Sequence, residues 1–308
     1  MNKKELILSS GGMKGCMMIS CLEELHTYHP LHTFDIITGC SVGSLIGTMI
    51  ALDFNLEEMK EVFIDLDWNQ FFDMKLTNFI EEYGFVDGIK IKNIFTAVFI
   101  EKNIPIDITF LQLYQKTGKI LTFTTTNITL GKVEYHNIFT TPHLSVLFSL
   151  RLSINIPLLL KPIEYNQCYY IDGAVLDPYP YYVMKNTKKI GIYLTDTNMF
   201  ENNKLLEYHG HFDYLLQIVM ILWKNQVQQR NRNKKPKNTI FIEDTRYQSV
   251  HFEMSKEEKL EMYEYGKTFI YSWIQKLNQR KRKHYLITKY ISLWKYKIKQ
   301  KKRIYHIK

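Results

Sequence analysis

Short apolar runs alternate with segments of helical periodicity through most of the chain. Runs rich in Ile, Leu, Val, Phe and Thr predict β-strands at 5–9, 34–38, 119–127, 169–172, 190–194 and 239–243. Apolar positions spaced by three and four residues predict helices at 13–26, 44–52, 56–64, 89–100, 110–116, 145–152 and 255–277. This alternation is typical of βαβ units, so we predict an α/β fold of three α/β/α layers with a mostly parallel central sheet.

The composition is that of an ordinary globular protein. The chain has 308 residues, of which 45% are hydrophobic and 23% charged, enough for one large domain with an appendage. Its four cysteines make no disulfide framework and lack the Cys-x-x-Cys spacing of zinc sites. We therefore expect a reduced, intracellular protein without a metal or another cofactor.

The positive charge is concentrated at the C-terminus. The net charge is +9, yet residues 276–308 hold 13 Lys or Arg and no acid, which leaves a net −4 on the rest. Apolar residues recur at helical spacing in this region, so we predict a basic amphipathic tail over 278–308. Such a tail fits an anionic membrane surface; docking on the core, contact with RNA and a targeting signal are the alternatives. Nucleic acid is an unlikely partner, since its signal is confined to this tail.

We predict the main part of the domain at 5–195, a completion of the same domain at 196–277, and the tail. The N-terminal apolar run, 6–8, is too short for a signal peptide. No apolar stretch approaches the roughly 20 residues that span a bilayer. We expect a cytoplasmic protein with peripheral membrane association.

The strongest chemical signal is Gly-x-Ser-x-Gly at 39–43, between a predicted strand and a predicted helix. This is the context of a nucleophile elbow, in which a sharp turn exposes the hydroxyl of Ser41. Gly39 and Gly43 leave room for the neighbouring strand and helix. The N–H groups at the start of the helix favour a developing negative charge.

A second glycine-rich loop, 10–15, also joins a strand to a helix. It lacks the glycine at Ser10 that a dinucleotide fingerprint needs, and Lys14 precedes Gly15 where a Walker loop needs Gly-Lys-Ser/Thr. Backbone N–H groups of this loop beside a nucleophilic serine are better suited to an oxyanion hole.

A third segment ends an apolar strand at Asp172, followed by the small residues Gly173 and Ala174. Small residues let a carboxylate approach a neighbouring loop, as a base for serine requires. An Asp that only caps a turn is the alternative interpretation.

Together, and in this order, the three segments resemble the patatin-like phospholipase family over about residues 5–195. The similarity extends to Gly-Phe-Val-Asp-Gly at 84–88, to 109–119, and to Ser153 with Pro157. The loop departs from the family pattern at Ser10, where a glycine is usual.

The resemblance implies a phospholipase A-type lipid acyl hydrolase with a Ser–Asp dyad and no catalytic histidine. Ser41 would be the nucleophile and Asp172 the proton acceptor. The oxyanion donors would be the N–H groups of Gly11, Gly12 and Met13, with Val42 as a further candidate. Supporting positions would be Gly39, Gly43, Lys14, Gly15, Gly173 and Ala174. The implied substrate is a membrane phospholipid or another acyl-ester lipid.

Three alternatives stay open at this point. A Ser-His-Asp triad would draw its histidine from positions after the acid, namely His209, His211, His251, His284 and His306. A non-catalytic lipid-binding or membrane-scaffold protein could retain the same fold. A nucleotide-binding protein would use 10–15.

Aromatic residues cluster between the elbow helix and the helix that follows. They are Trp68, Phe71, Phe72, Phe79 and Phe85, and Met74 lies among them. This cluster is either part of the core or an apolar wall for an acyl chain.

Overall fold

The computed structural model describes residues 3–71, 83–195, 236–244 and 251–277, and the single positions 79, 81, 214, 215, 218, 221, 246, 247, 249 and 279. The strands are β1 (Lys4–Leu8), β2 (Ile36–Cys40), β3 (Gly84–Val86), β4 (Ile120–Asn127), β5 (Lys132–Asn137), β6 (Leu158–Leu160), β7 (Ile163–Tyr165), β8 (Cys168–Asp172), β9 (Lys188–Thr195) and β10 (Thr239–Glu243). The helices are α1 (Gly15–Tyr28), α2 (Val42–Ala51), α3 (Leu56–Ile64), α4 (Ile89–Glu101), α5 (Phe110–Thr117), α6 (Val146–Ser153) and α7 (256–277).

Eight strands form the central sheet, in the order β10-β9-β1-β2-β4-β8-β7, with β5 also paired to β4. The five strands from β10 to β4 run parallel, and β5, β7 and β8 are antiparallel to their neighbours. Strands β3 and β6 pair in a separate small sheet. The predicted α/β fold with a mostly parallel central sheet is confirmed.

One edge of β4 receives two strands that meet end to end. β2 ends opposite Thr124, and β8 ends opposite Thr125. β5 pairs with both of these threonines, so it occupies the other edge of β4. The last residues of β2 and β8, Cys40 and Asp172, therefore lie next to each other along this edge of β4.

The two faces of the sheet are covered differently. On one face, apolar side chains from successive strands pack with the helices in the main core, among them Leu6, Ile37, Leu121, Ile192 and Ile240. On the other face, within the described residues, Ile7 and Tyr193 pack against Tyr179 of the segment between β8 and β9. The rings of Tyr179 and Tyr193 stack with centroids 4.5 Å apart.

The elements around the elbow differ from the predicted bounds in an informative way. The second strand extends to Cys40 instead of ending at residue 38, and the next helix begins at Val42 instead of residue 44. The turn between them is a single residue, because the glycines on either side allow strand and helix to pack closely.

The short strands β3, β5, β6 and β7 were not predicted. Three of them have only three residues, too few for a period-two pattern to stand out. Their strand pairing comes from tertiary neighbours.

The C-terminal part adds a strand and a helix to this core. β10 extends the parallel sheet beside β9, and α7 begins with the predicted capping box, in which Ser255 and Glu258 exchange hydrogen bonds. The predicted tail lies outside the described residues, except for position 279. In the described part of the chain, every helix is too short or too polar to cross a bilayer.

The packing of α7 on α1 depends on Gly266. A Cβ at this position would lie 2.7 Å from both the Cα and the carbonyl oxygen of Met17. Glycine inside a helix normally costs roughly 0.5–1 kcal/mol relative to alanine. Here we expect the opposite sign: Gly266→Ala should lower the free energy of unfolding by roughly 1–3 kcal/mol, because two helices must separate. Urea denaturation measures it.

The matched control is Ser272→Ala on an exposed position of the same helix. It should change the unfolding free energy by less than about 0.5 kcal/mol. A more stable Gly266→Ala variant would show that α7 does not pack closely on α1.

Candidate active site

Ser41 occupies the single-residue turn between β2 and α2. Its backbone has φ 54° and ψ −124°, a left-handed conformation that non-glycine residues rarely adopt. A Cβ at Gly39 would lie 2.6 Å from the backbone of Gly43, and one at Gly43 would collide with the carbonyl oxygen of Leu8. The two glycines therefore permit the turn that directs the Ser41 hydroxyl away from the chain.

Asp172, at the end of β8, meets this hydroxyl directly. Ser41 Oγ donates to Asp172 Oδ2 at 2.5 Å, and the N–H of Ala174 donates to Oδ1 at 2.8 Å. A Cβ at Gly173 would collide with the carbonyl oxygen of Thr124, so only glycine lets the chain turn this close to β4. The structure thus brings together the two residues on which the sequence argument relied.

Burial controls the chemistry of this pair. Ser41 is 5% exposed and Asp172 is 3% exposed. Burial raises the pKa of Asp172 to about 7, although the hydrogen bonds from Ser41 and Ala174 favour the ionised form. A carboxylate with this pKa is a stronger base than an ordinary Asp, and it is ionised in part at neutral pH.

Ser153, the last residue of α6, ties the elbow to β4. Its Oγ accepts from the backbone N–H of Ser41 at 3.1 Å, lies 2.8 Å from Ser44 Oγ, and donates to the carbonyl oxygen of Thr124 at 2.8 Å. Ser153 is fully buried. The sequence resemblance included this residue, but nothing in the local pattern indicated that it contacts the backbone of the nucleophile.

Asn155 holds the end of β8 in place. Its carbonyl oxygen accepts from the N–H of Asp172 at 2.7 Å, and its side-chain amide donates to the carbonyls of Tyr170 and Lys161. The sequence analysis missed this residue. Its partners are backbone atoms distant in the chain, for which a sequence motif gives no signal.

The glycine-rich loop lies beside the elbow, as predicted. Gly12 has φ +52°, and a Cβ on it would collide with the carbonyl oxygen of Ser249, while a Cβ on Gly11 would collide with Leu194. Gly12 therefore requires glycine, whereas a larger residue at Gly11 would require the side chain of Leu194 to move. The N–H of Met13 donates to the Ser249 carbonyl at 2.9 Å. Unlike the expectation, Met13 is thus already engaged, which leaves Gly11 and Gly12 as the better donor candidates.

Lys14 and Gly15 hold the loop against neighbouring segments. Lys14 is buried, and its Nζ donates to the carbonyl oxygen of Asp244 at 3.0 Å, which anchors the loop to the segment after β10. A Cβ on Gly15 would lie 2.7 Å from Val42 Cγ2 at the start of α2. Lys14 therefore has the supporting position that the sequence suggested.

An apolar pocket with an internal space of about 50 Å³ lies beside Ser41. Gly12, Met13 and Val42 line it together with large apolar side chains, among them Leu45, Phe63, Trp68, Ile91, Phe95 and Leu160. This space is smaller than the roughly 300–1,000 Å³ of small-molecule sites, so a ligand of that size would have to displace lining side chains. Of the predicted aromatic cluster, Trp68 joins this wall, whereas Phe72 and Met74 lie outside the described residues.

The histidines of the alternative triad do not enter this site in the described part of the chain. His251 is exposed and Asp172 is bonded directly to Ser41, which leaves no space for an imidazole between them. His209, His211, His284 and His306 lie outside the described residues. Among the described residues, no group of three His, Cys, Asp or Glu could hold a metal ion.

The chain is similar to known proteins in both fold and sequence. A crystal structure of VipD from Legionella pneumophila has the same fold, with a TM-score of 0.56 at 15% identity over 90% of this chain and 67% of that one. The chain is 31% identical over 213 residues to a probable lipid hydrolase of Invertebrate iridescent virus 6, which covers 65% of this chain and 72% of the relative.

A second relative is an uncharacterized protein of Acanthamoeba polyphaga mimivirus, 23% identical over 273 residues, or 85% of this chain and 91% of the relative. A family model described as patatin-like phospholipase matches residues 6–185. The chain therefore belongs to the patatin-like phospholipase family.

Proposed function

We propose that this protein is a lipid acyl hydrolase of the phospholipase A type, which cleaves carboxylic esters with a Ser41–Asp172 dyad. The observation that carries the proposal is the 2.5 Å hydrogen bond from Ser41 Oγ to Asp172 Oδ2 at the mouth of an apolar pocket. Family membership and the viral relative, a probable lipid hydrolase, support the substrate class.

The first step is acylation of the serine. Asp172 accepts the hydroxyl proton as Ser41 Oγ attacks the ester carbonyl, and the carbonyl π electrons move to its oxygen. Collapse of this tetrahedral intermediate expels the alkoxide of the alcohol product, which takes the proton from Asp172. The products of this step are an acyl-serine and a free alcohol.

Water completes the cycle. Asp172, again ionised, accepts a proton from a water molecule that attacks the acyl-serine carbonyl. Release of fatty acid returns the proton to Ser41 Oγ. The raised pKa of Asp172 suits it to both directions of proton transfer near neutral pH.

Stabilisation of the oxyanion is assigned to the glycine-rich loop and the start of α2. The candidate donors are the N–H groups of Gly11 and Gly12, with that of Val42 at the N-terminus of the helix, where the helix dipole also favours negative charge. The N–H of Ser41 donates to Ser153 and has a structural task.

We assign the apolar pocket to binding of the acyl chain. Its wall of aliphatic and aromatic side chains would accept the chain as it leaves the bilayer, so that apolar surface stays out of water. The same proposal includes association of residues 278–308 with an anionic membrane surface. A chain truncated after residue 277 should therefore bind anionic vesicles more weakly than the full chain.

The dyad predicts that Ser41→Ala and Asp172→Asn each lose turnover by at least about 10³-fold, because nucleophile and base act as one unit. Mass spectrometry of fatty acids released from mixed phospholipids measures this, with circular dichroism as the test of folding. Ser149→Ala is the matched control, a buried serine of α6 whose hydroxyl has no hydrogen-bond partner among the described residues.

Near wild-type activity of Asp172→Asn would refute the dyad. A non-catalytic lipid-binding protein would leave Ser41 unlabelled by a fluorophosphonate, whereas the hydrolase is labelled there. Labelling that is lost in Ser41→Ala therefore separates the two functions.

The pKa of Asp172 predicts the pH profile. Only the ionised carboxylate can accept the serine proton, so kcat/KM should fall about tenfold per pH unit below about 7 and level off above it. Initial rates on an uncharged short-chain ester between pH 5 and 9 measure this. A flat profile down to pH 5 would contradict the buried base.

The position of Ser153 predicts a selective effect on kcat. Ser153→Ala removes the contacts with the backbone of Ser41 and Thr124, so the nucleophile is held less firmly. We expect kcat to fall about 10- to 100-fold with KM changed less than about threefold, as measured by steady-state kinetics. The variant should then differ clearly from Ser149→Ala, and equal activities would show that Ser153 does not position Ser41.

A further inference from the structure

Arg151 is a buried cation whose Nη1 has no hydrogen-bond partner among the described residues. It lies on α6, two positions before Ser153, and is 6% exposed. Its Nη1 has no hydrogen-bond partner, and no carboxylate in the described part of the chain forms an ion pair with it. A buried guanidinium normally requires an acceptor, because desolvation of an unpaired charge costs several kcal/mol.

The guanidinium lies against the first turn of α4. A Cβ on Gly88, the N-cap residue of this 13-residue helix, would collide with Arg151 Nη2 and lie 3.0 Å from Cζ. Gly88 offers no side chain to cap the N–H groups of that turn. The side chain of Arg151 and the helix N-terminus therefore both present donors and positive charge at one place.

Among the described residues, Asp87 is the acidic group whose charge acts on Arg151. It is exposed, and its Oδ1 accepts from the N–H of Ile89 at 2.8 Å. Burial lowers the pKa of Arg151 to about 10, and the charge of Asp87 acts in the opposite direction. Arg151 therefore stays positively charged at neutral pH, while Asp87 caps the helix on the solvent side.

This junction adjoins the pocket beside Ser41. Ile91, in the first turn of α4, and Leu160 both line the pocket. Leu160 also lies at Gly88, with its Cδ2 3.3 Å from the position of a Cβ there. The donors thus lie behind one wall of the apolar pocket, next to two of its lining residues.

We propose that Arg151 and the N-terminus of α4 form a binding site for the phosphate group of a phospholipid. Phosphate oxygens accept the paired N–H groups of a guanidinium and are favoured at helix N-termini. This inference rests on the proposed function, and it makes Arg151 a specificity residue that favours phosphate-bearing esters over neutral ones. A free phosphate has the same chemistry, so the experiment must separate the two sources.

Binding is measured first, in the full chain with Ser41→Ala so that no turnover occurs. The probes are dihexanoyl phosphatidylcholine, dihexanoylglycerol and inorganic phosphate, titrated by calorimetry. Arg151→Met should weaken binding of the phosphatidylcholine at least about tenfold and leave the glyceride unchanged. Lys92→Met removes an exposed cation from the same helix and should change neither.

Turnover is measured second, with Ser41 present. The ratio of kcat/KM for phosphatidylcholine to kcat/KM for the glyceride should fall at least about tenfold in Arg151→Met. Arg151→Lys, which keeps the charge but loses the paired donors, should give an intermediate ratio. Arg151→Lys also replaces Arg151→Met as the test variant if Arg151→Met does not fold.

Equal losses for both esters would overturn the phosphate site and make Arg151 a structural residue. Binding of inorganic phosphate as tight as that of the phospholipid would overturn the lipid headgroup as its ligand. If wild-type protein hydrolyses neither ester, the proposed function fails, and the binding titration alone decides the phosphate site.

Discussion

The site depends on two strands that end against each other on one edge of β4. A parallel strand, β2, and an antiparallel strand, β8, stop opposite the adjacent residues Thr124 and Thr125. Ser41, in the turn after β2, and Asp172, the last residue of β8, therefore lie in the same small space. Because β4 fixes both ends, the hydrogen bond between Ser41 and Asp172 needs no long loop to bring its partners together.

Close backbone approach is the condition for this arrangement, and burial is its consequence. Gly43 and Gly173 pack against carbonyl oxygens of neighbouring strands, which leaves no room for side chains. The carboxylate of Asp172 is shielded from water, and its pKa rises to about 7. The same packing that strains Ser41 thus creates a base of useful strength, a common relation between strain and function.

Much of the site could be predicted because its signals are local. The elbow and the glycine-rich loop are short patterns between a strand and a helix. They occur in the same order as in the patatin-like family, which indicated that they belong to one site. The set of oxyanion donors stays a prediction, and Met13 is its weakest member. The N–H of Met13 donates to Ser249, a residue more than two hundred positions away, and no pattern around the loop could indicate that contact.

The sequence by itself determined the fold class and predicted the chemistry, that is, which serine would be a nucleophile and which loops need glycine. Those properties follow from side-chain size and periodicity over a few neighbouring residues. Only the tertiary structure decided the distance from Ser41 to Asp172, the contact of Ser153 with the nucleophile, and the buried position of Arg151. Distances, burial and pKa shifts arise between segments far apart in the chain, because folding sets what surrounds each group.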